Sequence, residues 1–246
     1  MSETELASQS RWLLFCNGMP RSASTWSFTV AIELLRRCFP NEQIHSAYDE
    51  DCAHFLASAP PSARLVLKSH TLDDAGRSLA RSGSAKVIYT YRDLTDAVAS
   101  SINMFGYGFE HALSLVRDSL DLYRFHRSTG NALILHYKEI TTNPASATKK
   151  VASYLQVPAA NEDIIQAVAE DMSLATVSKK LGAHRAEAVP PLAVQDEFYR
   201  QQEYDAEKLL MHHVRDGRAG YGKEQLSETQ VKKIKMLEQQ FGLQQF

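Results

Sequence analysis

Leu13-Leu14-Phe15-Cys16-Asn17-Gly18-Met19-Pro20-Arg21-Ser22-Ala23-Ser24-Thr25-Trp26 carries an apolar run into a turn crowded with small hydroxyl residues around one cation. The run is short enough for a buried parallel strand, and from Thr25 to Phe39 apolar residues recur at helical spacing. A strand that turns directly into a helix aims the turn's backbone N–H groups and the positive end of the helix dipole at one point, and such a point binds an anion, above all a phosphate. Arg21 adds the full charge that amides lack. Read alone, the turn is equally consistent with nothing more than a capped helix start, with Ser24 or Thr25 as N-cap.

Nucleoside triphosphatase loops set four residues between two glycines and close on Gly-Lys-Ser/Thr. Here Gly18 is followed by Arg21-Ser22-Ala23-Ser24-Thr25, so a magnesium-bound triphosphate is not the first ligand that the pattern suggests.

Four apolar runs, 12–17, 65–68, 86–91 and 132–137, read as strands, and 25–39, 93–105, 113–127 and 145–155 have helical periodicity. Alternation of this kind implies an α/β three-layer sandwich: a central, mostly parallel sheet with helices on both faces and ligands at the carboxyl ends of the strands. The phosphate turn follows the first strand, as that rule requires. Beyond Leu155 the pattern is helical without further clear strands. Residues 182–195, with Pro190-Pro191, read as a loop or mobile lid, and 202–214 as a charged helical stretch. An amphipathic helix closes the chain over 227–241, with a capping box of Ser227 at N-cap and Gln230 at N3.

A chain of 246 residues is long enough for a sizeable core, and 1–246 is expected to form a single domain. Hydrophobic residues at 44% and charged residues at 23% are ordinary for a soluble globular protein. A net charge of −2 argues against nucleic acid or a membrane surface as the main partner, so any anion site must be local. Cys16, Cys38 and Cys52 lack metal or redox spacing and read as free thiols, with Cys16 buried in the first strand. The first apolar run is too short for a signal peptide or membrane span, so the expected location is the cytoplasm. His212-His213 has no carboxylate or cysteine cluster at ligand spacing, and no metal is expected.

Four side chains join the turn in sequence terms. Lys68 and His70 end the second run, and residues two apart on a strand share a face. A histidine there can take a proton at neutral pH, and a lysine can neutralise charge on a bridging oxygen. As a lone pair, a strand-end lysine and histidine are more often simply solvated. Arg92 ends the third run, with Ser100 eight residues on; they are either two ligands of a second phosphate or a surface charge and a tolerated polar residue. Phe105, Tyr107 and Phe109 either line an acceptor pocket or simply pack.

Taken together, these residues resemble the sulfotransferase family that uses 3′-phosphoadenosine 5′-phosphosulfate (PAPS), in particular its cytosolic members. Pro20-Arg21-Ser22-Ala23-Ser24-Thr25-Trp26 is similar to that family's 5′-phosphosulfate loop, Pro-Lys-Ser-Gly-Thr-Thr-Trp, on a P-loop-like fold. Lys68-Ser69-His70 resembles the Lys-Thr-His element that carries the catalytic base, and Arg92 with Ser100 resembles the 3′-phosphate pair. Leu135-His136-Tyr137-Lys138-Glu139-Ile140 is similar to the Tyr-Glu-Asp-Leu segment whose tyrosine lies near the adenine. Arg215-Asp216-Gly217 and the pattern Gly217-x-x-Gly220-x-x-Lys223 resemble the Arg-Lys-Gly and Gly-x-x-Gly-x-x-Lys loop over the 3′-phosphate. Any one element is a weak signal; five in the family's order, over residues 12–242, are not.

The resemblance implies sulfuryl transfer from PAPS to a hydroxyl or amine, releasing adenosine 3′,5′-bisphosphate (PAP), with no metal required. It implies His70 as general base, Arg21 and Lys68 as charge stabilisers, and Ser22, Ala23, Ser24, Thr25, Arg92, Ser100, Tyr137, Arg215 and Gly217 as nucleotide ligands. Trp26 either stacks beside the adenine or anchors its own helix in the core. The acceptor, whether a small molecule, a glycan or a peptide, is not written in any motif. Three departures stand out: Arg21 replaces a lysine, Asp216 replaces a cation, and Ala23 replaces a glycine, which predicts a right-handed backbone at Ala23. The rival readings are a kinase or phosphotransferase with an aberrant phosphate loop, and a non-catalytic nucleotide-binding module.

Overall fold

Apolar residues alternate along β1 (Leu13–Gly18) in a way that assigns its two faces: Leu14 and Cys16 join one core cluster, Leu13 and Phe15 another. The computed structural model of the chain describes residues 11–157, 160–177, 179 and 220–242. β1 is flanked by β3 (Arg64–Ser69) and β4 (Lys86–Tyr91), with β2 (Ile44–Tyr48) and β5 (Ala132–His136) outside them, in the order β2-β3-β1-β4-β5. All four pairings are parallel. A parallel sheet puts every carboxyl end at one edge, so the residues ending β1, β3, β4 and β5 converge there, and the order reverses direction around β1.

On one face lie α1 (Ser24–Cys38), α7 (Pro144–Leu155) and α8 (Glu162–Asp171), packed on Leu14, Cys16, Val66, Ile88 and Leu135. On the other lie α2 (Cys52–Ser58), α3 (Asp74–Ser82) and α5 (Phe109–Thr129), over Phe15, Leu65, Leu67, Val87 and Tyr89. This is the expected three-layer α/β sandwich. α4 (Leu94–Phe105) leaves the end of β4 and packs with α5 and α10 (Glu228–Gln240) around Met19, Leu94, Val98 and Ile234, and the short helices α6 (Tyr137–Thr142) and α9 (Gly222–Gln225) complete the described chain. α10 begins with the expected capping box of Ser227 and Gln230. Among the described residues no helix is long and apolar enough to cross a membrane.

Among the elements not expected from periodicity are β2, α2 and α3. β2 is a half-buried edge strand whose Ile-His-Ser-Ala-Tyr sequence lacks a continuous apolar run. α2 and α3 are short, and their starts are marked by N-cap aspartates, Asp51 accepting from the His54 amide and Asp73 from the Gly76 amide. All three cysteines are free, as expected, and Cys38 and Cys52 are buried as well as Cys16. The expected lid at 182–195, the helical stretch at 202–214, and Arg215, Asp216 and Gly217 lie outside the described residues.

Candidate functional site

β1 hands over to the turn at Gly18, where a Cβ would lie 2.3 Å from Thr90 Oγ1 and 2.8 Å from Ser24 Cβ, so no larger residue fits without displacing the end of β4. The Met19 amide donates to the Thr90 carbonyl at 2.9 Å. The fully buried Ser22 hydroxyl lies 2.6 Å from the Met19 carbonyl, 2.9 Å from the Thr90 carbonyl and 2.7 Å from Thr90 Oγ1. Ser22 therefore spends its side chain on holding the turn shut against β4.

Pinning Ser22 forces its neighbours to make the bend. Arg21 (φ 65°) and Ala23 (φ 71°) are both left-handed, which corrects the expectation of a right-handed Ala23. Ala23 is also the N-cap of α1 and supplies no side-chain hydrogen bond, while Ser24 and Thr25 lie inside the first turn instead of capping it. The leading amides of α1, which have no intrahelical acceptor, are thus left without a side-chain cap. Left-handed alanine costs about 1–2 kcal/mol relative to glycine, partly offset by the greater unfolded-state entropy of glycine. Ala23→Gly is accordingly expected to raise the thermal midpoint by about 1–4 °C, measured by calorimetry; an unchanged or lower midpoint would show that the turn is not strained there.

Two arginines meet behind the turn. Arg92, 6% exposed at the end of β4, stacks 4.0 Å from the centroid of the Tyr137 ring and pairs with Asp96 Oδ2 at 3.2 Å; its second terminal nitrogen makes a long contact, 3.5 Å, with the Arg21 carbonyl. Arg21 Nε donates to the Ser100 hydroxyl at 3.1 Å, and its guanidinium lies over Phe105 at 5.9 Å. Ser100 sits almost fully buried on α4. The structure thus brings Arg21, Arg92, Ser100 and Tyr137 together, although they are up to 116 residues apart (137 − 21). Trp26 is 5% exposed and packed in the core cluster beside Leu14 and Phe28.

On the other side of the turn, β3 ends at Ser69, and Lys68 and His70 flank it. His70 Nδ1 lies 2.8 Å from the Gly18 carbonyl. A carbonyl only accepts, so Nδ1 carries the hydrogen and Nε2 keeps its lone pair. Burial, together with the Lys68 ammonium, pushes the imidazole down to about 4, and burial pushes Lys68 down to about 8 against the pull of Glu50. At neutral pH the site therefore holds a neutral imidazole beside a charged lysine.

The tyrosine that organises this pair ends the unexpected strand, and the carboxylate, Glu50, lies two residues past it. Lys68 Nζ lies 4.5 Å from the centroid of the Tyr48 ring, and Tyr48 meets His70 edge-on at 6.0 Å. Tyr48 donates its hydroxyl to Glu50 at 2.7 Å. Glu50 also accepts from the His70 amide at 3.0 Å and from the Thr71 amide and hydroxyl at 2.8 and 2.6 Å. Beneath the same turn, buried Asn17 donates to the Ser69 hydroxyl at 2.6 Å, which in turn donates to the Thr71 carbonyl at 2.8 Å. Sequence reading missed Tyr48 and Glu50; the available signal was Ile44 to Tyr48 bounded by Pro40-Asn41 and Asp49-Glu50-Asp51, a strand between turn formers.

The model of the sulfotransferase domain family matches residues 1–236. No curated protein matches the chain significantly. Among solved structures, a mouse sulfotransferase complexed with PAP is similar at 15% identity, with 96% of this chain and 86% of that chain covered and a TM-score of 0.66. Retinol dehydratase in complex with androsterone and inactive cofactor PAP is similar at 15% identity, with 93% and 80% covered and a TM-score of 0.63; its complex with retinol and PAP stands at 14%, 93%, 80% and 0.63. At these identities the structural likeness carries the fold.

Proposed function

We propose, from the premise that this chain belongs to the sulfotransferase domain family, that it transfers a sulfuryl group from PAPS to a hydroxyl or amine, with His70 as general base. We read the whole chain as one such domain. The observation that carries the proposal is His70 itself: Nδ1 tied to the Gly18 carbonyl, Nε2 with no hydrogen bond among the described residues, and Lys68 beside it next to the strand-to-helix turn.

The residues present fit the nucleotide. The α1 amino terminus lacks a side-chain cap and offers backbone donors to a 5′-phosphate. Arg92 and Ser100, both nearly buried, offer a guanidinium and a hydroxyl to a 3′-phosphate. Bound PAPS supplies an activated sulfuryl group. Nε2 of His70 accepts the acceptor's proton, while Lys68 and Arg21 offset negative charge on the transferring group, an electrostatic role fixed in advance by Tyr48 and Ser100. Ser22 contributes by holding the turn to Thr90, and Ser24 and Thr25 line the first turn of α1. In the resemblance Arg215 and Gly217 cover the 3′-phosphate, and they keep that role in the proposal. The structures of similar fold were solved with PAP and, in retinol dehydratase, with androsterone or retinol; for this chain a small-molecule acceptor is the corresponding reading.

Calorimetric titration with PAP, 5′-AMP and magnesium ATP tests the proposal. Preference for PAP without metal supports it; preference for magnesium ATP, or no binding, returns the kinase-like or non-catalytic reading. The pH profile is a second test. Base function needs neutral His70, present above about 4, and charge stabilisation needs protonated Lys68, present below about 8. The expected kcat/KM profile is a plateau falling on both sides of that window. An acid limb near the ordinary imidazole value of 6.5 would mean that the half-buried histidine is not held beside Lys68 in the free protein.

A further inference from the structure

Asp96 is buried in the first turn of α4, 2% exposed, and its two oxygens accept three N–H groups from two distant parts of the chain. Oδ2 takes the Arg92 guanidinium at 3.2 Å and the Gly220 amide at 2.7 Å, and Oδ1 takes the Gly222 amide at 2.9 Å. Gly220 is left-handed (φ 83°), which bends the turn so that amides two residues apart both face the carboxylate. Gly222 lies so close to α4 that a Cβ there would stand 2.5 Å from the Thr95 carbonyl oxygen and 2.8 Å from the Asp96 nitrogen. Between them, Tyr221 brings its ring to 6.0 Å from the Arg92 guanidinium, on an arginine already stacked on Tyr137.

One carboxylate therefore sets both the direction of Arg92 and the position of the 220–222 turn. We propose that Asp96 is a positioning residue that links capture of the 3′-phosphate by Arg92 to docking of the carboxy-terminal 220–222 turn. The inference rests on the proposed role of Arg92 as 3′-phosphate ligand. Each event orders the group that the other needs, and linkage makes the effect reciprocal: a ligand bearing a 3′-phosphate tightens the turn, and a loosened turn weakens that ligand. A ligand without a 3′-phosphate does neither.

Hydrogen exchange and calorimetry on the full chain separate the cases. In the wild-type protein, PAP is expected to slow amide exchange in the peptide spanning 220–226 by at least about tenfold, and 5′-AMP to leave it unchanged. Asp96→Asn removes one acceptor and points an amide N–H at a donor; it is expected to weaken PAP by at least about tenfold, leave 5′-AMP within about twofold, and abolish the ligand-dependent protection. Gly222→Ala reaches the same end without touching Arg92, because its Cβ pushes the turn off α4, and it is expected to reproduce the pattern. Wild-type protein that fails to bind PAP overturns the nucleotide assignment itself. Wild-type protein that binds PAP with no added protection of 220–226 overturns the linkage alone. So does an Asp96→Asn variant that binds PAP as well as or better than wild type, since Asp96 would then merely compete with phosphate for Arg92. Equal loss of PAP and 5′-AMP in both variants also overturns it, because the damage would not be confined to the 3′-phosphate.

Discussion

His70→Ala is expected to lower turnover by at least about a hundredfold while leaving PAP affinity within about twofold, the usual scale of a lost general base. The geometry explains why the two effects separate. The imidazole is tied to the Gly18 carbonyl and meets the Tyr48 ring edge-on, so it stands beside the strand-to-helix turn, while Arg92, Ser100 and the α1 amides hold their places without it. What disappears is the Nε2 lone pair. Lys68 remains, and removing the imidazole takes no hydrogen-bond donor from the nucleotide. The assay uses whichever hydroxyl or amine acceptor the wild-type protein sulfates in a screen, with calorimetry for PAP. Undiminished turnover would remove His70 from the mechanism, and parallel loss of PAP affinity would reassign it to nucleotide binding.

Arg92→Ala has the second large expected effect, on binding. Hydrogen bonds to charged groups contribute about 1.5–3 kcal/mol each, so losing two to a 3′-phosphate weakens PAP by about a hundredfold or more. The affinity for 5′-AMP should hold within about threefold, because in the proposal the 5′ half of the site belongs to α1. The substitution also leaves Asp96 buried without its cation. Breaking a buried ion pair costs about 3 kcal/mol or more, softened here by the Gly220 and Gly222 amides that Asp96 keeps. The double variant Arg92→Ala/Asp96→Asn relieves that cost, so it is expected to recover thermal stability without recovering PAP affinity. Equal weakening of PAP and 5′-AMP in the single variant would show that Arg92 does not read the 3′-phosphate.

The parts of the site that could be read from the sequence are those carried by strong local signals. An apolar strand followed by a hydroxyl-rich turn, Lys68 and His70 two apart, and Arg92 at a strand end are all short-range patterns, and the strands and helices bearing them lie within a few residues of their expected bounds. β2 was hidden because an edge strand half-covered by neighbours needs no continuous apolar run, yet it brings Tyr48, and Glu50 just past its end, to His70. Asp96 was hidden differently. Asp93-Leu94-Thr95-Asp96 reads as an ordinary acidic helix start, and Asp93 does cap α4 by accepting from the Asp96 amide. Only the return of the chain 124 residues later gives the second carboxylate a different task.

The sequence by itself determined the layered α/β architecture, the strand-to-helix turn and the cations at the strand ends, because hydrophobic periodicity and turn chemistry act over a few residues and are written locally. It did not determine the backbone at Ala23, the shared use of Arg21 and Arg92 around Ser100, or the closing of the Arg92 site by Gly220 and Gly222 through Asp96. Those belong to the tertiary structure. Parallel strand pairing and buried polar contacts join residues far apart in the chain, and a buried hydroxyl or carboxylate must find its partners there whatever the local preference. Ser22 held against Thr90 shows this directly: the hydrogen bonds to β4 outweigh the alanine's reluctance to turn left-handed.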